Sequence, residues 1–146
     1  MRLSLLAAFA GLLLTTAPGR AENTLPPVFA QQQLVKATML TFNDANMTGN
    51  YSVLHARMGK AARDTFSEAQ MQQTFKVFAD PRRNLMFTAV MTPVINTAKI
   101  DESGVLHLAG YFEGKPRNLN FEFNFAMSEN EWKPVLIGVN SKLPGE

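Results

Sequence analysis

The stretch L-N-F-E-F-N-F-A-M, from Leu119 to Met127, decides the fold of this chain. Apolar residues occupy every second position, and Asn120, Glu122 and Asn124 lie between them. Because successive side chains of a β-strand point to opposite faces, this pattern predicts a strand with one apolar and one polar face. Such a strand needs antiparallel neighbours beside it and a second layer over its apolar face. We therefore expect the rest of the chain to supply both.

The segments on either side of this strand are predicted to be its neighbours in the sheet. Val105 to Phe112 and Trp132 to Val139 are rich in β-branched and aromatic residues, and turn sequences separate them from the central strand. A proline and an asparagine interrupt the preceding stretch, so Val94 to Ile100 is predicted as an edge strand or a strand with a bulge. Leu85 to Val90 is predicted as a further strand, which gives a four- or five-stranded sheet.

The first half of the chain has helical spacing and is predicted to form the covering layer. Val28 to about Asn46 contains no Gly or Pro, and its apolar residues recur with the period of an amphipathic helix. A short second helix is predicted from Tyr51 to Met58. Ser67, with Gln70 three residues later, has the pattern of a capping box and begins a third helix. Three helices followed by antiparallel strands predict an α+β fold.

The N-terminal residues 1–21 are predicted to be a secretory signal peptide. One arginine precedes an apolar run from Leu3 to Leu14, and the small residues Gly19 and Ala21 follow it. The run is shorter than the roughly 20 residues that span a bilayer, although an uncleaved membrane anchor is the alternative. Residues 22–27 would then be a leader, and residues 28–143 one domain in the periplasm or the medium, with no stable membrane anchor.

Composition and charge exclude several classes of function. Two of the 14 Lys and Arg residues, Arg2 and Arg20, fall in the predicted signal peptide, which leaves 12 basic against 12 acidic residues. A chain with balanced charge and no basic cluster longer than Arg82-Arg83 is not expected to bind nucleic acid. There is no cysteine, and the two histidines lie on different predicted elements. We therefore predict neither a metal site nor a cofactor.

The segment F-N-D-A-N-M-T-G-N-Y-S-V-L-H-A-R-M, from Phe42 to Met58, resembles part of the nuclear transport factor 2-like superfamily. It is similar to the end of the first helix, the glycine turn and the short second helix of small secreted bacterial members. Gly104 to Phe112, Asn118 to Phe125 and Trp132 to Val139 resemble the hairpins that follow. The resemblance covers Val28 to about Ser141 and implies the cone-shaped fold of ketosteroid isomerase, with a strongly bent sheet. The superfamily includes isomerases, dehydratases and ligand binders, so it implies no single activity.

The resemblance also implies a pocket between the first helix, the third helix and the concave face of the sheet. Its expected lining is apolar and comes from both layers. The helices contribute Val35, Met39, Phe42, Phe75 and Phe78, and the sheet contributes Phe121, Phe123, Phe125 and Ile137. This interior is either a cavity for a small apolar ligand or a filled core, and the usual packing density of proteins favours the filled core.

Three residues near the expected mouth of that pocket are candidates for catalysis. Enzymes of the superfamily pair a general base with a Tyr or Asp that donates to a developing oxyanion. Tyr51 and His55 share a face of the second helix, and Asp44 lies near the end of the first helix. These three residues would serve an isomerase or a dehydratase; otherwise they only pack the short helix. Because Glu122 has outward parity and the central strand has no inward acid, we expect a non-catalytic domain.

The outer face of the predicted sheet is polar. His107 and Tyr111 share its parity with Asn120, Glu122 and Asn124. Many members of the superfamily dimerise through this side of the sheet, so the resemblance implies a homodimer, and exposure to solvent is the alternative. The sequence therefore predicts a periplasmic, non-catalytic module that binds a small apolar ligand or a protein partner.

Overall fold

The structure, a computed structural model, describes residues 24–141. The predicted signal peptide and the final residues of the predicted domain lie outside them. The described α-helices are α1 (Val28–Thr48), α2 (Ser52–Arg57), α3 (Lys60–Thr65) and α4 (Glu68–Thr74). Short 3-10 helices span Lys76–Ala79, Pro81–Arg83 and Met86–Val90. The described strands are β1 (Val94–Ile100), β2 (Leu106–Phe112), β3 (Leu119–Ser128) and β4 (Glu131–Asn140).

The four strands form an antiparallel sheet in the order β1-β2-β3-β4. Phe123 of β3 lies opposite Leu108 of β2 and opposite Ile137 of β4, so the stretch that decides the fold is an inner strand. Helices packed on a four-stranded antiparallel sheet confirm the predicted α+β class. The alternation along β3 is also confirmed, because Leu119, Phe121, Phe123 and Phe125 are buried. The exception is Met127, which is exposed where the strand extends beyond the core.

The predicted strand from Leu85 to Val90 is wrong, because Met86–Val90 forms a 3-10 helix. The backbone N–H of Thr88 donates to the carbonyl of Leu85 over 3.0 Å, and the Thr88 hydroxyl donates to the same oxygen over 2.8 Å. Leu85 and Thr88 are both buried and lie three residues apart, which is one turn of a 3-10 helix. The β-branched and aromatic residues suggested a strand, but the burial period is three.

Helix α1 provides the apolar layer over the inner face of the sheet. It ends at Gly49, whose φ of 71° is the left-handed conformation expected of a C-terminal glycine. Val35, Met39 and Phe42 lie on one face of α1 and belong to the same apolar core as the inward residues of β2 and β3. Complete burial of each of these side chains contributes about 1.5–3 kcal/mol. The long first helix predicted from Val28 is therefore confirmed.

The described connection from α1 to the sheet consists of short α-helices and 3-10 helices. Helix α2 is slightly shorter than predicted, and α3 forms in the segment from Lys60 to Phe66, for which the sequence predicts a helical turn or an irregular link. The capping box of α4 is confirmed, because Ser67 Oγ accepts from Gln70 N and Gln70 Oε1 accepts from Ser67 N. The helix that begins there is only seven residues long and continues as the 3-10 helix Lys76–Ala79.

Strand β1 is an edge strand with an irregular register, as predicted. Its pairing with β2 shifts between Ile95 and Thr97, which is the signature of a bulge. The carbonyl oxygen of Val94 approaches Gly110 of β2 so closely that a Cβ built on Gly110 would lie 1.9 Å from it. Only glycine allows this contact, so Gly110 fixes how β1 packs against β2.

Candidate functional site

The residues predicted to line an interior pocket lie mostly in closely packed surroundings. Val35, Met39, Phe42, Phe123 and Phe125 are 0% exposed, Phe121 and Phe78 are nearly buried, and Phe75 and Ile137 are partly buried. The Phe42 ring meets the rings of Phe75 and Phe78 edge-on, with centroids 5.0 and 5.1 Å apart. These distances are typical of aromatic side chains in a packed core. The predicted pocket residues at the centre of the interior therefore pack against one another.

An open groove lies instead beside the core, between the short helices and β4. We call it the apolar groove, and its volume is about 230 Å³. Its lining comes from α2, α4, β4 and the residues that directly follow α2, α3 and α4: Leu54, Met58, Phe66, Met71, Thr74, Phe75, Val135, Leu136 and Ile137. Phe75 and Ile137 belong to the predicted pocket lining, and the other seven residues do not. The groove thus shares one border with the expected pocket.

The apolar groove has a buried floor and an exposed rim. Met58 and Met71 are buried on the floor, whereas Phe66 is 46% exposed and Leu136 is 44% exposed at the rim. Thr74 is the polar member of the lining, and its hydroxyl donates to the carbonyl of Gln70 over 2.8 Å. An apolar concave surface with large exposed side chains at its border is typical of a binding site.

His55 holds the rim of the apolar groove. Its Nε2 lies 2.9 Å from the carbonyl oxygen of Phe66 and 3.3 Å from that of Arg63. Both partners are acceptors, so Nε2 carries the hydrogen and donates. The Arg63 guanidinium donates in turn to the carbonyl of Met58. His55 therefore connects α2 to the end of α3 and positions Phe66, a contact that sequence spacing did not indicate.

Tyr51 makes a structural hydrogen bond rather than one to His55. Its hydroxyl donates to Asn46 Oδ1, and Asn46 Nδ2 donates to the carbonyl of Phe42 over 2.7 Å. Burial raises the pKa of the Tyr51 hydroxyl, which keeps it in the neutral, donating form. The side chain of Asp44 is exposed on α1. Among the described residues, no hydrogen bond joins Asp44, Tyr51 and His55 to one another.

The outer face of the sheet gathers the residues that the sequence assigned to it. His107 lies opposite Asn124, and Tyr111 lies opposite Asn120, so these four side chains share a face. His107 Nε2 lies 2.7 Å from Asp101 Oδ2, and this hydrogen bond lowers the pKa of the Asp101 carboxyl, with further donors from the backbone of the turn. The homodimer expected on this face stays a prediction.

A larger cavity of about 600 Å³ lies at another edge of the molecule, where Leu85 and Phe87 meet the β2–β3 loop. Its lining from that loop is mainly polar or charged, and it includes Glu113, Lys115 and Arg117. The cavity also borders Ser141, and its polar and charged lining differs from the apolar lining that the sequence predicts for a pocket. We therefore place the candidate site in the apolar groove.

The rim of the apolar groove was not predicted from the sequence, although two signals for it are present. Pro134 to Ile137 is an unbroken apolar run, and Leu136 has the outward parity of its strand. Phe66 lies in the segment predicted as a link, where a large aromatic residue had no assigned role. Both features indicate apolar side chains beyond what the core requires.

Comparison with protein families, curated proteins and solved structures finds no match to this chain. Within residues 24–141, no three His, Cys, Asp or Glu side chains are grouped as metal ligands would be. The helices of that same part are too short or too polar to cross a membrane.

Proposed function

We propose that this chain is a non-catalytic, periplasmic binding module of the nuclear transport factor 2-like type, and that its apolar groove receives a small apolar ligand. The observation that carries the proposal is the lining of the groove. Eight of its nine lining residues are apolar, and the hydroxyl of the ninth, Thr74, is already bonded. Such a surface gains free energy when an apolar group displaces water from it.

The size of the groove limits the ligand. A drug-sized pocket has a volume of roughly 300–1,000 Å³, and the apolar groove, at about 230 Å³, is smaller. An enclosed apolar cavity of about 150 Å³ is enough to bind benzene. The groove therefore suits one aromatic ring with a small substituent, or the end of an aliphatic chain. With no charged residue in the lining, selectivity comes from shape rather than from ion pairing.

The assignment to the nuclear transport factor 2-like type is supported by local features. Helix α1, the left-handed Gly49 and the short α2 lie in the order that the resemblance implies, and an antiparallel meander follows. The cone shape and the bent sheet are part of the proposal. The close approach of the Val94 carbonyl in β1 to Gly110 in β2 supports a bent sheet, because a glycine inside a strand is typical of a bend or of a close backbone contact.

A non-catalytic role is supported by the contacts of the candidate catalytic residues. The Tyr51 hydroxyl and His55 Nε2 both make hydrogen bonds that stabilise helix ends and connections. A general base and an oxyanion donor need to present these atoms to a substrate. The proposal therefore assigns Tyr51 to the packing of α2 and His55 to the rim of the apolar groove.

Methyl NMR of the protein with labelled methionines tests this proposal, with toluene as the probe. The side chains of Met58 and Met71 line the groove, so we expect their methyl resonances to shift and the shifts to saturate as toluene is added. The methyl resonance of Met39, which is buried in the core, is not expected to shift. Leu136→Asp places a charge at the rim and should abolish the shifts. Val90→Asp is the matched control, because Val90 is 90% exposed and lies outside the groove.

Two results would overturn the assignment of the groove. The first is a saturable shift of Met39 alone, which would place the ligand in the interior below α1. The second is identical toluene binding by Leu136→Asp and the unchanged protein. A chemical-shift spectrum of each variant without toluene confirms that it is folded.

A further inference from the structure

A second groove lies on the other side of α2, between α1 and the start of β4. We call it the Trp132 groove, and its volume is about 350 Å³. Its lining combines apolar and polar side chains: Leu34, Ala37, Thr38, Thr41, Leu54, Ala56, Arg57, Phe125, Glu131, Trp132, Lys133 and Pro134. Leu54 is almost completely buried and lines both grooves, so it forms a wall between them. The two grooves are therefore separate sites.

Thr38 provides an unused hydrogen-bonding group in this groove. Every other threonine in the described α-helices donates its hydroxyl to the carbonyl four residues earlier: Thr41, Thr48, Thr65 and Thr74. Thr38 is 94% buried, since 6% of it is exposed, and within residues 24–141 its hydroxyl has no hydrogen-bond partner. The Thr38 oxygen is not among the buried atoms that lack a partner, so it retains access to the groove and can bond to a ligand atom there.

Arg57 places a cation in the same groove, one helical turn along α1 from Thr38. Its Nη1 donates to Thr41 Oγ1 over 3.2 Å, and Thr41 lies one helical turn beyond Thr38 on the same face of α1. In the described part of the chain, no carboxylate lies within 4.0 Å of the Arg57 guanidinium. Its remaining N–H groups have the fork geometry that a carboxylate accepts in two parallel hydrogen bonds.

The other charges of the Trp132 groove are arranged differently. Lys133 is paired with Glu129, and its side chain is largely buried, so its charge is already matched. Glu131 is the acidic member of the lining, and its side chain is exposed. Because Glu129 matches Lys133, the remaining charges of the lining are Arg57 and Glu131, and no ion pair joins these two among the described residues. Trp132, Leu34 and Phe125 provide an apolar wall for the uncharged part of a ligand.

We propose that the Trp132 groove binds a small amphipathic carboxylate, with its carboxylate on Arg57 and Thr38 and its apolar body against Trp132. The three features each select part of the ligand. Arg57 selects the negative charge, the Thr38 hydroxyl selects an acceptor oxygen, and the ring of Trp132 selects an apolar chain or ring. A ligand without the carboxylate loses the contacts to Arg57 and Thr38, and a ligand without the apolar body loses the contact to Trp132.

Fluorescence of Trp132 tests this directly, because it is the only tryptophan in the chain. Three probes separate the contributions: hexanoate has both parts, hexanol lacks the charge, and acetate lacks the apolar chain. We expect a saturable change with hexanoate and at least tenfold weaker binding of hexanol and of acetate. Arg57→Gln should weaken hexanoate about tenfold or more, and Thr38→Val, which keeps the shape, should weaken it severalfold.

Matched controls keep the test specific. Arg117→Gln removes an exposed arginine elsewhere and should leave hexanoate binding unchanged. Arg57→Lys keeps the charge and removes the fork, so it should bind more weakly than the unchanged protein even though it folds. Far-UV circular dichroism of every variant confirms the fold.

Three outcomes would overturn the proposal. Hexanol binding as tightly as hexanoate would show an apolar site with no carboxylate recognition. Full hexanoate binding by folded Arg57→Gln would exclude the arginine. Hexanoate that shifts the methyls of Met58 and Met71 and leaves Trp132 unchanged would place the ligand in the apolar groove, which supports the proposed function and rejects the second site.

Discussion

The interior under α1 and the border under the short helices are both apolar, yet only the interior is closed. Met39 and Phe123 are completely buried between α1 and β3, while Phe66 and Leu136 remain nearly half exposed beside β4. The composition of the two regions is similar, so hydrophobicity does not explain the difference. What differs is the element that covers each strand.

The lengths of the elements give the reason. Helix α1 has 21 residues and extends about 32 Å, which matches the roughly 33 Å of the ten-residue strand β3. Helix α2 has six residues and extends about 9 Å, so it covers only a fraction of β4. When the helix packed on a strand is shorter than the strand, part of the apolar surface of the strand stays exposed to solvent. The apolar groove is therefore a consequence of the short helices beside β4.

The largest test of this comparison removes one large apolar side chain from each region. Phe123→Ala leaves a cavity in the closed interior and should lower the free energy of unfolding by about 3–5 kcal/mol. Leu136→Ala removes a half-exposed side chain and should cost less than about 1 kcal/mol. Urea unfolding of both variants measures the difference. Equal losses would mean that the two regions are equally well packed.

A second test compares the two tyrosines of the chain. Tyr51→Phe leaves the buried Asn46 Oδ1 without its donor and should cost about 1–3 kcal/mol. Tyr111 lies on the outer face, and its hydroxyl has no hydrogen bond to the described residues, so Tyr111→Phe should change stability by less than about 0.5 kcal/mol. Thermal unfolding measured side by side decides this, and a larger loss for Tyr111→Phe would contradict it.

A third test narrows the apolar groove by adding a side chain at Gly59, next to the lining residue Val135. A Cβ on Gly59 would lie 2.8 Å from Val135 Cγ1, so Gly59→Ala should displace Val135 towards the groove at a stability cost of about 1 kcal/mol. We expect toluene to bind severalfold more weakly in the methyl NMR titration. Gly138→Ala is the control, since its Cβ would meet Glu122 on the outer face. Unchanged toluene affinity in Gly59→Ala would show that Val135 does not contribute to the toluene site.

The smallest expected effect concerns acid stability on the outer face. The hydrogen bond from His107 holds the pKa of Asp101 below its usual value, so the folded state favours the ionised carboxylate. Its contribution is complete above the unfolded pKa, near 4, and is lost as the pH falls through the folded pKa. The stability difference between Asp101→Asn and the unchanged protein should therefore shrink below about pH 4. Glu102→Gln, at an exposed neighbour, should show no such trend.

Local patterns predicted much of the fold because their causes are local. The alternation along Leu119 to Met127, the capping box of Ser67 and the left-handed glycine after α1 all depend on neighbours within a few residues. The error at Leu85 to Val90 has the opposite cause. Asn43, more than 40 residues away, accepts the Leu85 N–H over 2.7 Å, and this tertiary contact helps to hold the segment out of a sheet.

The candidate sites depended still more on tertiary contacts. Spacing alone placed Tyr51 and His55 on one helical face, but it could not show that their polar atoms bond to Asn46 and Phe66. The Thr38 hydroxyl could not be distinguished from those of the other helical threonines, because its missing partner is visible only once the helix is packed.

The sequence by itself determined the class of fold, the inner strand and the apolar face that α1 covers, because alternation and helical periodicity are properties of adjacent residues. The tertiary structure alone decided which apolar residues are buried in the interior and which border a groove. Phe66 and Leu136 meet at one rim although 70 positions separate them, and the length of the covering helix determines whether that surface is filled.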